Sequence, residues 1–388
     1  MSVLFRRFPN YGKFTTQLLF KDVEKQLIFK HVSTNTAGNV KSPRGFIKLS
    51  LVGLSVGALV GTGFSIHKNN KTTTHIINEE TTIPPLKEIP KIPPTRKMVY
   101  PGSPQGLKLT LYQYQTCPFC CKVRAYLDYY GISYDVVEVD AVLRQSIKWS
   151  PYKKVPILVA EIEEGYQPMN DSSMIISALQ SYLQDKGGSI TEIVKCYPSI
   201  SYEEDGSKKV DIMNKYFIMY NGINPNRTKE EMEEERKWRK WVDGVLVHTL
   251  SPNVYRTPEQ AFQAFNWFSD TGEWDKHFPA WERYMMVYVG AVAMWLISKR
   301  LKAKYNLKED VRLSLYDECN KFAKAIHLKG TSFMGGNEPN LADLSVYGVL
   351  SSIEGCDAFR DLLEYSKIKN WYLLMKDTVQ NHRGMSFG

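Results

Sequence analysis

Cys117-Pro118-Phe119-Cys120 stands between an apolar, β-prone run at 107–114 and a helical pattern that runs from Pro118 to Tyr130 and stops at Gly131. A Cys-x-x-Cys pair set between strand and helix puts its first thiol at the helix N-terminus, where unpaired N–H groups and the helix dipole stabilise a thiolate. Sites of this kind lower a cysteine pKa from about 8.5 to ~3.5–7.5, and the thiolate is the nucleophile. Cys120, one turn deeper, is left as a resolving thiol. Pro118 at the first helical position forgoes no hydrogen bond and fixes the turn. The same pair is half of a zinc site, but no second Cys-x-x-Cys or paired His follows at ligand spacing, so no metal is expected. Cys121 faces another way along the helix.

Outward from the motif, the pattern continues with a strand at 134–139, a helical stretch at 142–149, a strand at 155–159 and a helix at 172–184. This β-α-β-α-β order predicts a small α/β domain over 107–184. From about Glu230 the texture changes to long helical patterns: Trp238, Trp241, Val242, Val245, Leu246 and Thr249 share one face, and 284–301 and 341–350 are mostly apolar. An all-α domain is expected over 230–388. The connector 185–229 carries turn signals at Asp205-Gly206 and Asn221-Gly222 and is left unassigned. With 388 residues, 43% hydrophobic and 23% charged, the chain has material for two cored domains, which excludes wholesale disorder and a polytopic membrane protein. Six cysteines are too sparse for a disulfide framework, so reactivity is the better reading of the cluster at Cys117, Cys120 and Cys121.

The net charge of +9 is unevenly placed. Residues 1–106 carry 15 Lys and Arg against 5 Asp and Glu, a net of +10, which leaves −1 for 107–388. A neutral folded body argues against a nucleic-acid partner, because counterion release needs clustered cations on the binding surface. Residues 1–48 begin with an acid-free stretch of Arg6, Arg7, Lys13 and Lys21 among apolar residues, which reads as a mitochondrial type of targeting segment or as a basic tail before an anchor. Residues 49–66 hold no charge and at helical rise reach about 27 Å, enough for a single transmembrane helix, with Gly53, Gly57 and Gly61 on one face for a helix partner. Residues 67–106 follow as a linker in which Pro84, Pro85, Pro90, Pro93, Pro94, Pro101 and Pro104 predict an extended spacer holding the body off the membrane.

Two further motifs lift the cysteine pair above chance. Val155-Pro156 precedes a strand at the place where thioredoxin-like folds carry a cis-proline loop beside the catalytic cysteine, offering the Val155 backbone to a bound peptide; an ordinary turn proline is the alternative. Asn170-Asp171-Ser172-Ser173 stands before a helix that Asp171 or Ser172 would cap. A small anionic ligand would be recognised there by backbone N–H groups and the Ser172 hydroxyl, with Asp171 pairing an ammonium. In the second half, Pro339-Asn340-Leu341-Ala342-Asp343 forms a helix-start box in which Asn340 caps and Asp343 reciprocates.

Together these parts resemble the glutaredoxin branch of the thioredoxin fold followed by the all-α C-terminal domain of glutathione transferases. The runs LYQYQTCPFC (111–120), KVPILVA (154–160), NDSS (170–173), LSPNVYRTP (250–258) and NLADL (340–344) are similar to the membrane-associated type 2 prostaglandin E synthase family. That resemblance implies isomerisation of the endoperoxide prostaglandin H2, a small lipid, to prostaglandin E2. It implies Cys117 as the reactive thiol, Tyr114 as its hydrogen-bonding neighbour, Cys120 as its partner thiol, and Val155, Pro156, Asp171 and Ser172 as glutathione contacts. It also implies haem as a second cofactor, bound with glutathione in a form that degrades prostaglandin H2, with His248 near that pocket; a lone helical histidine is otherwise a packing residue. A homodimer is expected on the same ground. The acid-free start favours mitochondria, the resemblance favours the Golgi or endomembranes with release to the cytosol by cleavage in the linker. Two other functions use the same residues: a membrane-tethered glutaredoxin-like thiol-disulfide oxidoreductase, and a non-catalytic haem- or glutathione-binding adaptor.

Overall fold

A computed structural model describes residues 75–103, 107–184, 188–204, 207–219 and 227–387. The targeting segment and the span 49–66 lie outside the described residues. The elements in chain order are β1 (His75–Thr81), β2 (Arg96–Met98), β3 (Lys108–Gln113), α1 (Pro118–Tyr129), β4 (Tyr134–Glu138), β5 (Ile157–Ile162), β6 (Gly165–Asn170), α2 (Ser172–Gln184), α3 (Ile190–Lys195), β7 (Ser199–Glu204) and β8 (Ser207–Ile212). The helical half then runs α4 (Lys229–Trp241), α5 (Val247–Val254), α6 (Pro258–Thr271), α7 (Trp274–His277), α8 (Ala280–Tyr284), α9 (Gly290–Lys304), α10 (Val311–Lys329), α11 (Leu341–Ser351), α12 (Asp357–Tyr365) and α13 (Lys369–Gln380).

Strand alternation builds the first half. The sheet order is β2-β4-β3-β5-β6, with β3 and β4 parallel across the α1 crossover and the other pairs antiparallel. Leu109, Leu111, Val136, Leu158 and Ala160 point to the face covered by α1 and α2, and belong to a core that continues into the helical half. Tyr112, Val137, Ile157 and Val159 point to the opposite face, where they pack with Cys117, Cys120 and Val155. The period of two thus divides the sheet between a structural core and the thiol site.

Two expectations are corrected, and two unread stretches are filled. The proline-rich segment is not a free spacer: Leu86 exchanges two backbone hydrogen bonds with Tyr166 at 2.7 and 2.8 Å, the Thr95 N–H donates to the Val136 carbonyl at 2.7 Å, and β2 pairs with β4. Proline removes donors from a ladder but is tolerated at sheet edges, which is where this segment lies. The helix expected at 142–149 is a single tight turn at Gln145–Ile147. The Asp140 carboxylate captures the N–H groups of Leu143, Arg144 and Gln145, the competition that pulls backbone away from helix. Strand β6, unread in the sequence because Gly165 and Pro168 interrupt its pattern, forms the other sheet edge against β5. The unassigned connector holds α3 and the β7–β8 hairpin, with β1 added as a third strand.

In the helical half the expected start of α11 is formed: Asn340 Oδ1 accepts the N–H groups of Ala342 and Asp343, and the Asp343 carboxylate accepts Asn340 N–H. Asp343 also accepts Met334 N–H and Gly335 N–H at 2.9 Å and the Trp371 indole N–H at 3.1 Å. Asp343→Ala would strand these buried donors and is expected to lower the unfolding free energy by about 3 kcal/mol. Urea unfolding measures it, and a loss below ~1 kcal/mol would show that the cap carries little of the stability.

Candidate active site

Strand β3 delivers the chain to the thiol, and α1 starts on it. The Cys117 N–H donates to the Tyr114 carbonyl at 3.1 Å, the Cys117 carbonyl accepts the Cys121 N–H at 2.9 Å, and Pro118 takes the first helical position. Cys117 is therefore the N-cap residue, with no side-chain capping bond of its own. Its thiol is held below the ordinary value, chiefly by the hydrogen bond from the Cys120 thiol; burial opposes this, and the N–H groups of Cys120 and Phe119 with the Arg124 cation add to it. Cys120 is pushed well above the ordinary value by burial and by the same neighbouring thiol. Burial and coupling thus push the two thiols apart, Cys117 toward the thiolate and Cys120 toward the protonated form.

Tyr114 and Tyr152 pack against the cluster that holds the pair. Burial raises the Tyr114 phenol, with Arg144 opposing and Cys117 adding, so Tyr114 is a proton donor at neutral pH. Tyr152 is raised by burial and then by Asp171 and Cys117, and Tyr255 by burial and then by Cys356 and Cys117. Neither Tyr152 nor Tyr255 was given a role from sequence. Tyr255 lies in the 250–258 run, and Tyr152 in the loop before the proline, where a helix was expected to end; a phenol near a thiol across two elements leaves no local signal.

The clamp residues come together beside the thiol. The Val155-Pro156 bond is cis, and Ile157 immediately after it pairs with Tyr112 of β3, which seats the loop next to the motif. Val155 is buried, and its N–H and carbonyl make no backbone hydrogen bond among the described residues, so both are available to a peptide-like ligand. Asp171, not Ser172, caps α2: its Oδ1 accepts Ser173 N–H at 2.8 Å and Met174 N–H at 3.3 Å. Asp171 also holds a left-handed backbone, φ +68, a conformation that collects at ligand sites. Lys215 Nζ lies 3.5 Å from Asp171 Oδ2, and the buried Asn170 Oδ1 next door has no protein partner among the described residues. Ser172 is buried at the first turn.

Cys121, as its spacing predicts, and His248 lie away from the thiol and clamp. Cys121 is buried on another face of α1, with Sγ 3.1 Å from the Arg124 guanidinium, and lines a cavity of about 390 Å³ shared with Tyr347, Ser351 and Lys376. His248 is buried on α5, its ring stacked on Tyr305 at 4.2 Å, and lines a cavity of about 250 Å³ with Thr249 and Asp317. Cys117, Cys120 and the clamp residues line neither cavity. Among the described residues, no group of three or more His, Cys, Asp or Glu is arranged to hold a metal ion.

Iodoacetamide labelling of the Cys117 peptide, followed against pH by mass spectrometry, is expected to show a midpoint below the ~8.5 of a free thiol. Cys120→Ala removes the leading stabiliser of the thiolate and is expected to move that midpoint upward; an unchanged midpoint would contradict the assignment.

Residues 111–185 match the glutathione S-transferase N-terminal domain family. Prostaglandin E synthase 2 of Danio rerio is 44% identical over 334 residues, covering 84% of this chain and 82% of that one. Prostaglandin E synthase 2 of Mus musculus is 49% identical over 279 residues, covering 71% of each. Glutathione transferase F7 from Populus trichocarpa is a structural neighbour at a TM-score of 0.40 and 12% identity, covering 71% of this chain and 99% of that one. On the extent and level of identity to these synthases, the chain belongs to the prostaglandin E synthase 2 family.

Proposed function

We propose that the enzyme converts prostaglandin H2 to prostaglandin E2 with the Cys117 thiolate as nucleophile, the observation that carries this being the place of Cys117 as the N-cap of α1, packed against the Val155-Pro156 loop. The thiolate attacks the endoperoxide oxygen on C9; an S–O bond forms as the O–O bond breaks, and the oxygen left on C11 takes a proton from the Tyr114 phenol. Loss of the C9 proton to the tyrosinate then makes the C9 carbonyl and expels the sulfur as thiolate. The product is an isomer of the substrate, and both protein groups end in their starting state.

Glutathione fits the clamp. The N–H and carbonyl of Val155, which make no backbone hydrogen bond among the described residues, suit its peptide, the first turn of α2 with Ser172 suits a carboxylate, and Asp171 suits an ammonium. When bound it supplies a second thiol beside Cys117. Haem finds no such fit in this arrangement: His248 is closed in by Tyr305, in a cavity below the ~300 Å³ of ordinary ligand pockets, and no step is assigned to haem. Membrane anchorage through 49–66, a mitochondrial or endomembrane location and a homodimer belong to the same proposal and rest on sequence and family resemblance.

A thiol-disulfide oxidoreductase is the second reading, favoured by Cys117 and Cys120 packing in one cluster a helical turn apart. The two differ at Cys120, which dithiol exchange requires. With prostaglandin H2 and glutathione, the wild type and Cys120→Ser are expected to yield prostaglandin E2 above the spontaneous background and Cys117→Ser only background, while Tyr114→Phe lowers kcat by about 100-fold. Product quantified by mass spectrometry decides: background from the wild type removes the isomerase reading, and loss with Cys120→Ser favours the oxidoreductase.

A further inference from the structure

Asp243 sits in a widened, π-type turn, Val242–Leu246, between α4 and α5, and such turns gather at functional sites. Its carboxylate leaves the helical half and enters the sheet half. Oδ1 accepts Lys122 Nζ at 2.5 Å, while Oδ2 accepts the Ser173 hydroxyl at 2.6 Å and the Tyr216 hydroxyl at 3.0 Å. Lys122 Nζ also donates to Ser173 Oγ at 2.8 Å, so lysine, serine and aspartate close a ring. Arg239 of α4 ties the same elements a second time, donating to the Ser173 carbonyl at 3.1 Å, the Ser177 hydroxyl at 2.7 Å and the Tyr216 carbonyl at 3.1 Å.

The ring joins the two helix starts that make the site. Lys122 is on α1, whose first residues carry Cys117, and its side chain is wholly buried. Ser173 is on the first turn of α2, next to Ser172 and two residues from Asp171. Lys215, beside Tyr216 in sequence, reaches Asp171 itself and is held by Asp211 at 2.8 Å. A buried ion pair is a poor choice for stability alone, since apolar replacements are often as stable. What it does supply is direction: three donors must meet one carboxylate, and that fixes α1 and α2 relative to each other.

We propose that Asp243 is a positioning residue for glutathione: through Ser173 and Lys122 it sets the distance between the clamp at Asp171 and Ser172 and the thiol at Cys117. The inference rests on the clamp as the glutathione site. Lys122 and Ser173 share the role, and Tyr216 carries it to the connector loop.

The test uses the full chain as wild type, Asp243→Asn and Ser173→Ala, with glutathione affinity by calorimetry, thermal stability, and the pH midpoint of Cys117 labelling without glutathione. Ser173→Ala is expected to weaken glutathione roughly tenfold and Asp243→Asn at least as much, with the labelling midpoint unchanged in both. A fall in thermal stability with wild-type glutathione affinity would overturn the proposal and leave a structural brace. Should Asp243→Asn fail to fold, Ser173→Ala, which keeps the ion pair, decides alone. Absence of glutathione binding in the wild type itself would instead remove the clamp reading, and this inference with it.

Discussion

The backbone contact between α1 and α11 is the constraint on which the site depends. At Gly348 of α11 a Cβ would lie 2.5 Å from Lys122 Cα and 2.8 Å from the Cys121 carbonyl, so only glycine lets the helices meet this closely. Contacts of this kind allow no sliding, because both surfaces are main chain. Helix α11 is in turn pinned at its start by Asp343, whose carboxylate also holds the preceding loop and Trp371. The helical half therefore sets where α1 begins, and α1 begins at the reactive thiol.

From that placement the chemistry follows. A cysteine at a helix start needs stabilising neighbours to remain a thiolate in a buried setting, and Cys120, one turn along α1, is the leading influence that lowers Cys117. An isomerisation with no net redox change suits a pair that keeps its proton, since neither sulfur is consumed in the cycle. Cys121 stands apart from this division: burial raises it, Arg124 opposes, and its surroundings are those of the cavity behind the motif. Three thiols in sequence thus occupy two environments.

Much of this was legible in the residues themselves. Helix α2 was read with the boundaries it has, α1 to within a residue at its end, and the Asn340–Asp343 box in full, because each is signalled by neighbours in sequence. The proline-rich segment was misread because proline reports what it cannot do inside a helix or ladder and says nothing of an edge strand 40 residues from its partner, as in Arg96 against Val136 of β4 at the close of the run. The 142–149 helix failed on a competition that apolar spacing does not record, the capture of three N–H groups by Asp140. The tie from Lys122 to Asp243 spans 121 residues and joins two elements that each look complete alone. Local signals located the thiol; only the tertiary arrangement shows what holds it.

The proposed glutathione site lies between the α2 start and the Cys117 thiol. A crystal structure of the chain with glutathione tests this most directly. The expected result places one carboxylate at the first turn of α2 with Ser172, the ligand backbone paired with Val155, and the ligand sulfur beside Cys117. Glutathione seated instead in the cavity lined by Cys121 and Arg124, with the clamp unengaged, would contradict it.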